Sequence, residues 1–132
     1  MFKLLKIENA RMNVPEPVFH EATADEAIFV GEALVLANGK LTKCAATAKP
    51  EFIAIGQLGA SDANRKVAVC RVAPNQVYEV PVTAAPTALK VGDKVTIHTD
   101  GLQVTATTTS GVITIESLNG ATAVGDTIVV RI

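Results

Sequence analysis

Residues 31–50 read GEALVLANGKLTKCAATAKP. Ala33 to Ala37 is an apolar run, Asn38-Gly39 follows, and KLTKCA resumes an extended pattern. A two-residue hairpin turn of type I′ needs positive φ at both central positions, which Asn and Gly tolerate best. The stretch therefore predicts a β-hairpin, and neighbouring segments repeat its grammar. Phe52 to Gln57 (FIAIGQ) is another short apolar run. Lys66 to Val72 alternates, with Val67 and Val69 on one face and Lys66, Ala68 and Cys70 on the other. Gln76 to Val82 alternates in the same way, and Pro74 and Pro81 restrict it to a sheet edge or a strand end.

Toward the C-terminus, Val95 and Ile97 face opposite to Thr96 and His98. Asp100-Gly101 and Ser110-Gly111 are read as two more hairpin turns, the second joining LQVTATTT to VITIES. Ile128 and Val130 complete a last strand. Val-Gly-Asp opens two of these strands, in LKVGDKVTI (89–97) and TAVGDTIVV (122–130). Glycine permits the tight turn and aspartate accepts N–H bonds at the strand entrance, so the pair reads as structural punctuation. Helical periodicity is confined to Ala22–Ala27 and Gly59–Arg65, each long enough for about one or two turns. Many short strands with regular turns predict an all-β fold, a small β-barrel or β-sandwich. Closure into a barrel is attractive because it removes exposed edges.

Upstream of the hairpin the character changes. Five acids (Glu16, Glu21, Asp25, Glu26, Glu32) and no Lys or Arg lie between Met12 and Glu32. Residues 1–32 carry three bases and six acids, 3 − 6 = −3, and residues 33–132 carry nine bases and seven acids, 9 − 7 = +2. Pro15 and Pro17 in NVPEPVF each lack an N–H and push the preceding residue toward extended geometry. The expected organisation is an extended N-terminal arm over residues 1–30 and a β-barrel or sandwich domain over 31–132. The acids of the arm fit a solvated edge.

The chain has 132 residues, 48% hydrophobic and only 4% aromatic, with no Trp, so Val, Ile, Leu and Ala must build one core. A formal net charge of −1 argues against direct nucleic-acid binding. No apolar run approaches a membrane span, and the charged start MFKLLKIENAR does not read as a secretory signal. Cys44 and Cys70 form no CxxC pair and are expected to be free, partly buried thiols of a protein made in a reducing cytoplasm. Motifs of catalysis do not occur: there is no G-x-S-x-G elbow, no P-loop, and no His placed beside either cysteine. His20 and His98 are distant from each other. Asp93, Asp100 and Asp126 lack the dense spacing of a calcium loop. The expectations are no enzyme activity, no cofactor and no metal.

The NVPEP arm (13–17), the 31–50 hairpin, FIAIGQL (52–58), the VAVCRV and YEVPV strands and the VGDKV lead-in (91–95) occur in an order and spacing that resembles the capsid cement, or decoration, proteins of tailed bacteriophages. The resemblance covers most of the chain and rests on order rather than on any single motif. It implies a structural virion protein on the outer capsid surface, its arm reaching across neighbouring major capsid subunits and clipping them together. The expected partners are the major capsid protein and further copies of the chain, as a trimer or, at two-fold sites, a dimer. On this reading Val14, Pro15, Pro17, Val18 and Phe19 make much of the capsid contact. The prolines restrict the free arm and Phe19 serves as the apolar anchor. A tail, spike or fibre module is the alternative, and a ligand-binding barrel a weaker one.

Overall fold

A computed structural model describes residues 1–9, 15–61 and 65–132. Ten strands form two five-stranded antiparallel sheets, and no helix occurs among the described residues. The strands are β1 (Lys3–Ile7), β2 (Pro17–Glu21), β3 (Ala33–Ala37), β4 (Lys40–Lys43), β5 (Phe52–Ala54), β6 (Lys66–Arg71), β7 (Gln76–Pro81), β8 (Lys94–Val95), β9 (Ile113–Ser117) and β10 (Thr127–Arg131). The first sheet runs β1-β7-β10-β9-β8 and the second β2-β6-β5-β3-β4.

The β3–β4 hairpin turns at Asn38-Gly39 with φ of 51° and 77°, the geometry the dipeptide predicts. Both Val-Gly-Asp elements form the same turn. The Asp93 carboxylate accepts the Lys90 N–H at 2.8 Å and the Asp126 carboxylate accepts the Ala123 N–H at 2.8 Å. Gly92 and Gly125 supply the positive φ, and β8 and β10 start directly after. Around Asp100-Gly101, residues 96–98 and 103–107 exchange backbone hydrogen bonds and an Ile97–Val104 bridge.

Ser110-Gly111 behaves otherwise than expected. β9 pairs with β8 and β10, not with residues 102–107. Gly111 serves close backbone approach, because a Cβ there would lie 2.2 Å from the Lys94 carbonyl oxygen. β7 is an interior strand between β1 and β10, with Pro81 tolerated as its last residue. The sheets also do not close into a barrel. The second sheet curls until Ala22, just past β2, meets Leu41 of β4 in one parallel bridge.

Two cores result. The face of the first sheet carrying Tyr78, Val80, Ile113, Ile115, Ile128 and Val130 packs on Ala33 and Ile53 of the second sheet. The curled second sheet wraps its other face around Leu34, Leu41, Phe52, Val67 and Val69, closed by Ala22, Ile28 and Leu58. Fully buried side chains of this size contribute ~1.5–3 kcal/mol each.

The segment expected to form an extended arm pairs with both sheets in its described part. β1 pairs with β7 and β2 with β6, and Ala22 and Ile28 are fully buried. The segment is extended, as its prolines require, but its described part completes both sheets. The physical reason is that strands β6 and β7 each have an edge to fill and apolar neighbours to cover. Ala22–Ala27 forms a turn at Ala24–Asp25 rather than a helix, with Asp25 at φ 60°.

Candidate docking surface

Of the residues expected to contact a partner, Val14 lies outside the described residues. The others occupy β2 or its approach. Alternation along β2 sends Val18 and His20 toward the second core, where Val18 packs partly buried and the His20 ring meets Phe52 edge-on at 5.1 Å. Pro17 and Phe19 point to the opposite face, and Pro15 is half-buried beside them. Phe19 is 59% exposed, so it does not pack into its own domain.

The exposure has a geometric cause. Pro17, Cys70, Ile53 and Ala33 form one row across the second sheet. The first sheet covers that row at Ala33 (0% exposed) and Ile53 (4%), but not at its β2 end. The next row runs from Phe19 to Ala68, whose carbonyl accepts N–H bonds from both Ile55 and Gly56. That bulge turns Ile55 outward, 46% exposed. Phe19 and Ile55 therefore flank Ala68 as an exposed apolar strip.

Beside this strip the two sheets part in a groove of ≈ 470 Å³, lined mostly by apolar groups. Met1, Phe2 and Leu4 form one wall, Pro15 and Pro17 the other, and Tyr78, Ile53 and Cys70 the floor. Phe2 stacks edge-to-face on Tyr78 with centroids 6.3 Å apart, and the Tyr78 hydroxyl donates to Gln76 Oε1 at 2.6 Å. Burial pushes the Tyr78 hydroxyl and the Cys70 thiol above their ordinary values, so both stay neutral at physiological pH. The surface offers shape and mostly apolar area, with the Lys3 side chain as a charged group among the lining residues.

Reactive groups are dispersed. Both cysteines are free and buried, and burial pushes the Cys44 thiol up to about 11. His98 pairs with Asp100 at 3.2 Å on an exposed loop. Asp93 and Asp126 are engaged in their turns. A smaller cavity of ≈ 210 Å³ lies among Lys49, Glu51, Arg71 and Ile132. Among the described residues no three His, Cys, Asp or Glu side chains are grouped to hold a metal ion.

One acid departs from the expected solvated edge. Glu32 is fully buried, accepts the Phe29 N–H on Oε2 at 2.8 Å, and lies 3.6 Å from Lys43 Nζ. Its sequence neighbours carry the only local hint, since it directly precedes the apolar run that builds β3. Ile55 and the Met1–Phe2 wall were likewise not legible, because a bulge and an inter-sheet groove are not periodic features.

No protein-family model and no curated protein matches the chain. Among solved structures it is similar to the head fiber gp8.5 N base in bacteriophage phi29, with a TM-score of 0.59 and 18% identity. The likeness covers 89% of this chain and 94% of that chain. The likeness shows a shared fold over most of the chain.

Proposed function

We propose that the protein is a structural component of a tailed-phage virion, carried on the outer surface of the head. The observation that supports this best is the likeness, over nearly the full length of both chains, to a domain named as the base of a phage head fiber. On this reading the protein binds the major capsid protein through Pro15, Pro17, Phe19 and Ile55 and the groove beside them. It clips neighbouring capsid subunits as a cement or decoration protein, and self-association, with a trimer favoured, matches its symmetry to the lattice site. Repeated over a lattice, weak contacts sum to firm attachment. Val18, which faces the protein's own core, supports the strand that presents Phe19 rather than the contact itself.

A second reading follows from the same neighbour: the domain seats a fibre on the head rather than cementing subunits. Both readings use one docking face and differ in what happens to the shell. The test is cryo-microscopy of heads of the encoding phage, lacking the protein and then supplied with wild type or Phe19→Ser. Wild type is expected to fill defined outer sites, and the variant to fall at least about tenfold in affinity, the loss of one well-buried apolar anchor. Added resistance of decorated heads to heat or chelator marks cement; unchanged shell stability with filled sites marks a fibre base. Heads that stay bare with wild type would reject both.

A further inference from the structure

The turn Phe29–Glu32 forms part of the groove wall. Glu32 N–H donates to the Phe29 carbonyl at 3.1 Å and Phe29 N–H donates back to Glu32 Oε2 at 2.8 Å. Gly31, at φ +77°, lies between them, accepting the Phe2 N–H at 2.8 Å and donating to the Ala54 carbonyl at 2.7 Å. The turn therefore fastens Met1–Phe2, and with them the start of β1, to β5. It also displays Phe29 and Val30, 46% and 42% exposed.

The fastening group is in an unusual position. Glu32 is fully buried, and its Oε1 has no hydrogen-bond partner. A buried carboxylate oxygen without a donor is costly when charged. The charged groups around it relieve that cost only in part. From β4, the Lys43 ammonium stands at 3.6 Å, beyond hydrogen-bond reach. Glu26, in the preceding segment, is occupied by the Thr42 hydroxyl and the Lys43 N–H, and adds repulsion. From the 98–103 loop, Gly101 closes over the Glu32 stem so tightly that a Cβ would lie 2.9 Å from Glu32 Cγ. The loop's own ions serve one another, Asp100 with His98, and Asp100 also faces the Met1 amino group.

We propose that Glu32 is a pH-responsive latch: neutral, it holds the 29–32 turn shut against β1 and β5; ionised, it draws water to Oε1 and lets that turn open. The opening loosens the groove wall formed by Met1, Phe2 and Val30, whatever molecule occupies the groove. Desolvation holds the Glu32 carboxyl above the ordinary carboxylate range. The sign follows from linkage. The closed turn binds the proton more tightly than the open one, so closure is favoured at low pH and weakens as pH rises through the raised value.

Amide hydrogen exchange of the full chain, corrected for intrinsic rates, from about pH 4 to 9 tests this. The opening constant at Phe29, Gly31 and Phe2 is expected to rise up to about tenfold per pH unit, then level off. Ile128 and Val130 in the first sheet should stay constant. Glu32→Gln should give a flat profile at all three amides. Lys43→Met, which removes the facing cation, should carry the rise to higher pH, and it decides the matter if the first variant does not fold. Identical profiles for wild type and Glu32→Gln, a Lys43→Met profile that does not move, or a parallel rise at Ile128 and Val130 would each overturn the proposal.

Discussion

β1 and β2 follow one another in the chain, yet each becomes an edge strand of a different sheet. β1 is defended. Lys3 and Lys6 project from it, its register breaks between Leu4 and Lys6, and the Glu8 carboxylate just beyond it is held by Arg131 at 2.8 Å. Charge and a bulge are the ordinary means of stopping a second chain from adding to an edge. β2 instead shows Pro17 and Phe19 on a face the first sheet leaves uncovered, and its inner face is seated on the second core. The contrast teaches that exposure of apolar side chains at β2 is local and directional. One edge is closed to partners by charge while its neighbour presents an apolar face.

The largest expected effect comes from removing what seats β2. Phe52 is fully buried, carries the His20 ring on one edge and lies under the Arg71 guanidinium at 4.9 Å. Phe52→Ala should cost ~3–5 kcal/mol in urea unfolding, because a cavity opens where three strands meet. A loss below about 1 kcal/mol would mean that β2 is held by backbone pairing alone.

Next is the junction that fastens β1. Alanine at Gly31 must accept φ +77° and bring its Cβ to 2.5 Å from Met1 Cβ and 2.9 Å from the Phe2 carbonyl oxygen. Gly31→Ala should destabilise by ~1–3 kcal/mol or more, with exchange protection lost first along β1. Loss appearing first along β2 would reverse the assignment of this turn to the β1 side.

The Arg131 network gives a smaller, acid-sensitive effect. Hydrogen bonds from Lys6 and Arg131 hold the Glu8 carboxyl below its ordinary value. Its contribution is therefore present above the ordinary glutamate range and lost as pH falls through the lowered value. Arg131→Met should lower the melting temperature slightly at neutral pH and by less in strong acid, where only the bond to the Pro74 carbonyl is left to lose, as thermal scans at two pH values will show. The smallest effect on stability belongs to the docking face itself. Phe19→Ser should leave the stability within about half a kcal/mol of wild type, the range of ordinary surface changes. A clear drop would show that Phe19 supports the fold and weaken its role as a partner contact.

Much of the second sheet was legible in the sequence. Ala33–Ala37, Asn38-Gly39 and Lys66–Val72 obey alternation and turn chemistry, which act over a few residues. Both Val-Gly-Asp turns were legible for the same reason. Ser110-Gly111 misled because a glycine chosen for backbone proximity looks the same in sequence as one chosen for a turn. The candidate site was half legible. Phe19 and Pro17 emerge as apolar residues in a proline-rule segment, whereas Ile55 joins them only through a bulge against Ala68. Val18 was grouped with them because a segment taken as a free arm has no inner face.

By itself, the sequence determined an all-β chain, its main turns and a leading segment kept extended by Pro15 and Pro17. These depend on φ restrictions and on the two-residue period of a strand, which neighbours in the chain impose on one another. Only the tertiary structure decided that the leading segment divides between two sheets, that Glu32 is sealed away from water while four similar acids are not, and that Phe19 is left outside. Those outcomes depend on which sheet edge has apolar area to cover, a balance of burial between residues far apart in the chain.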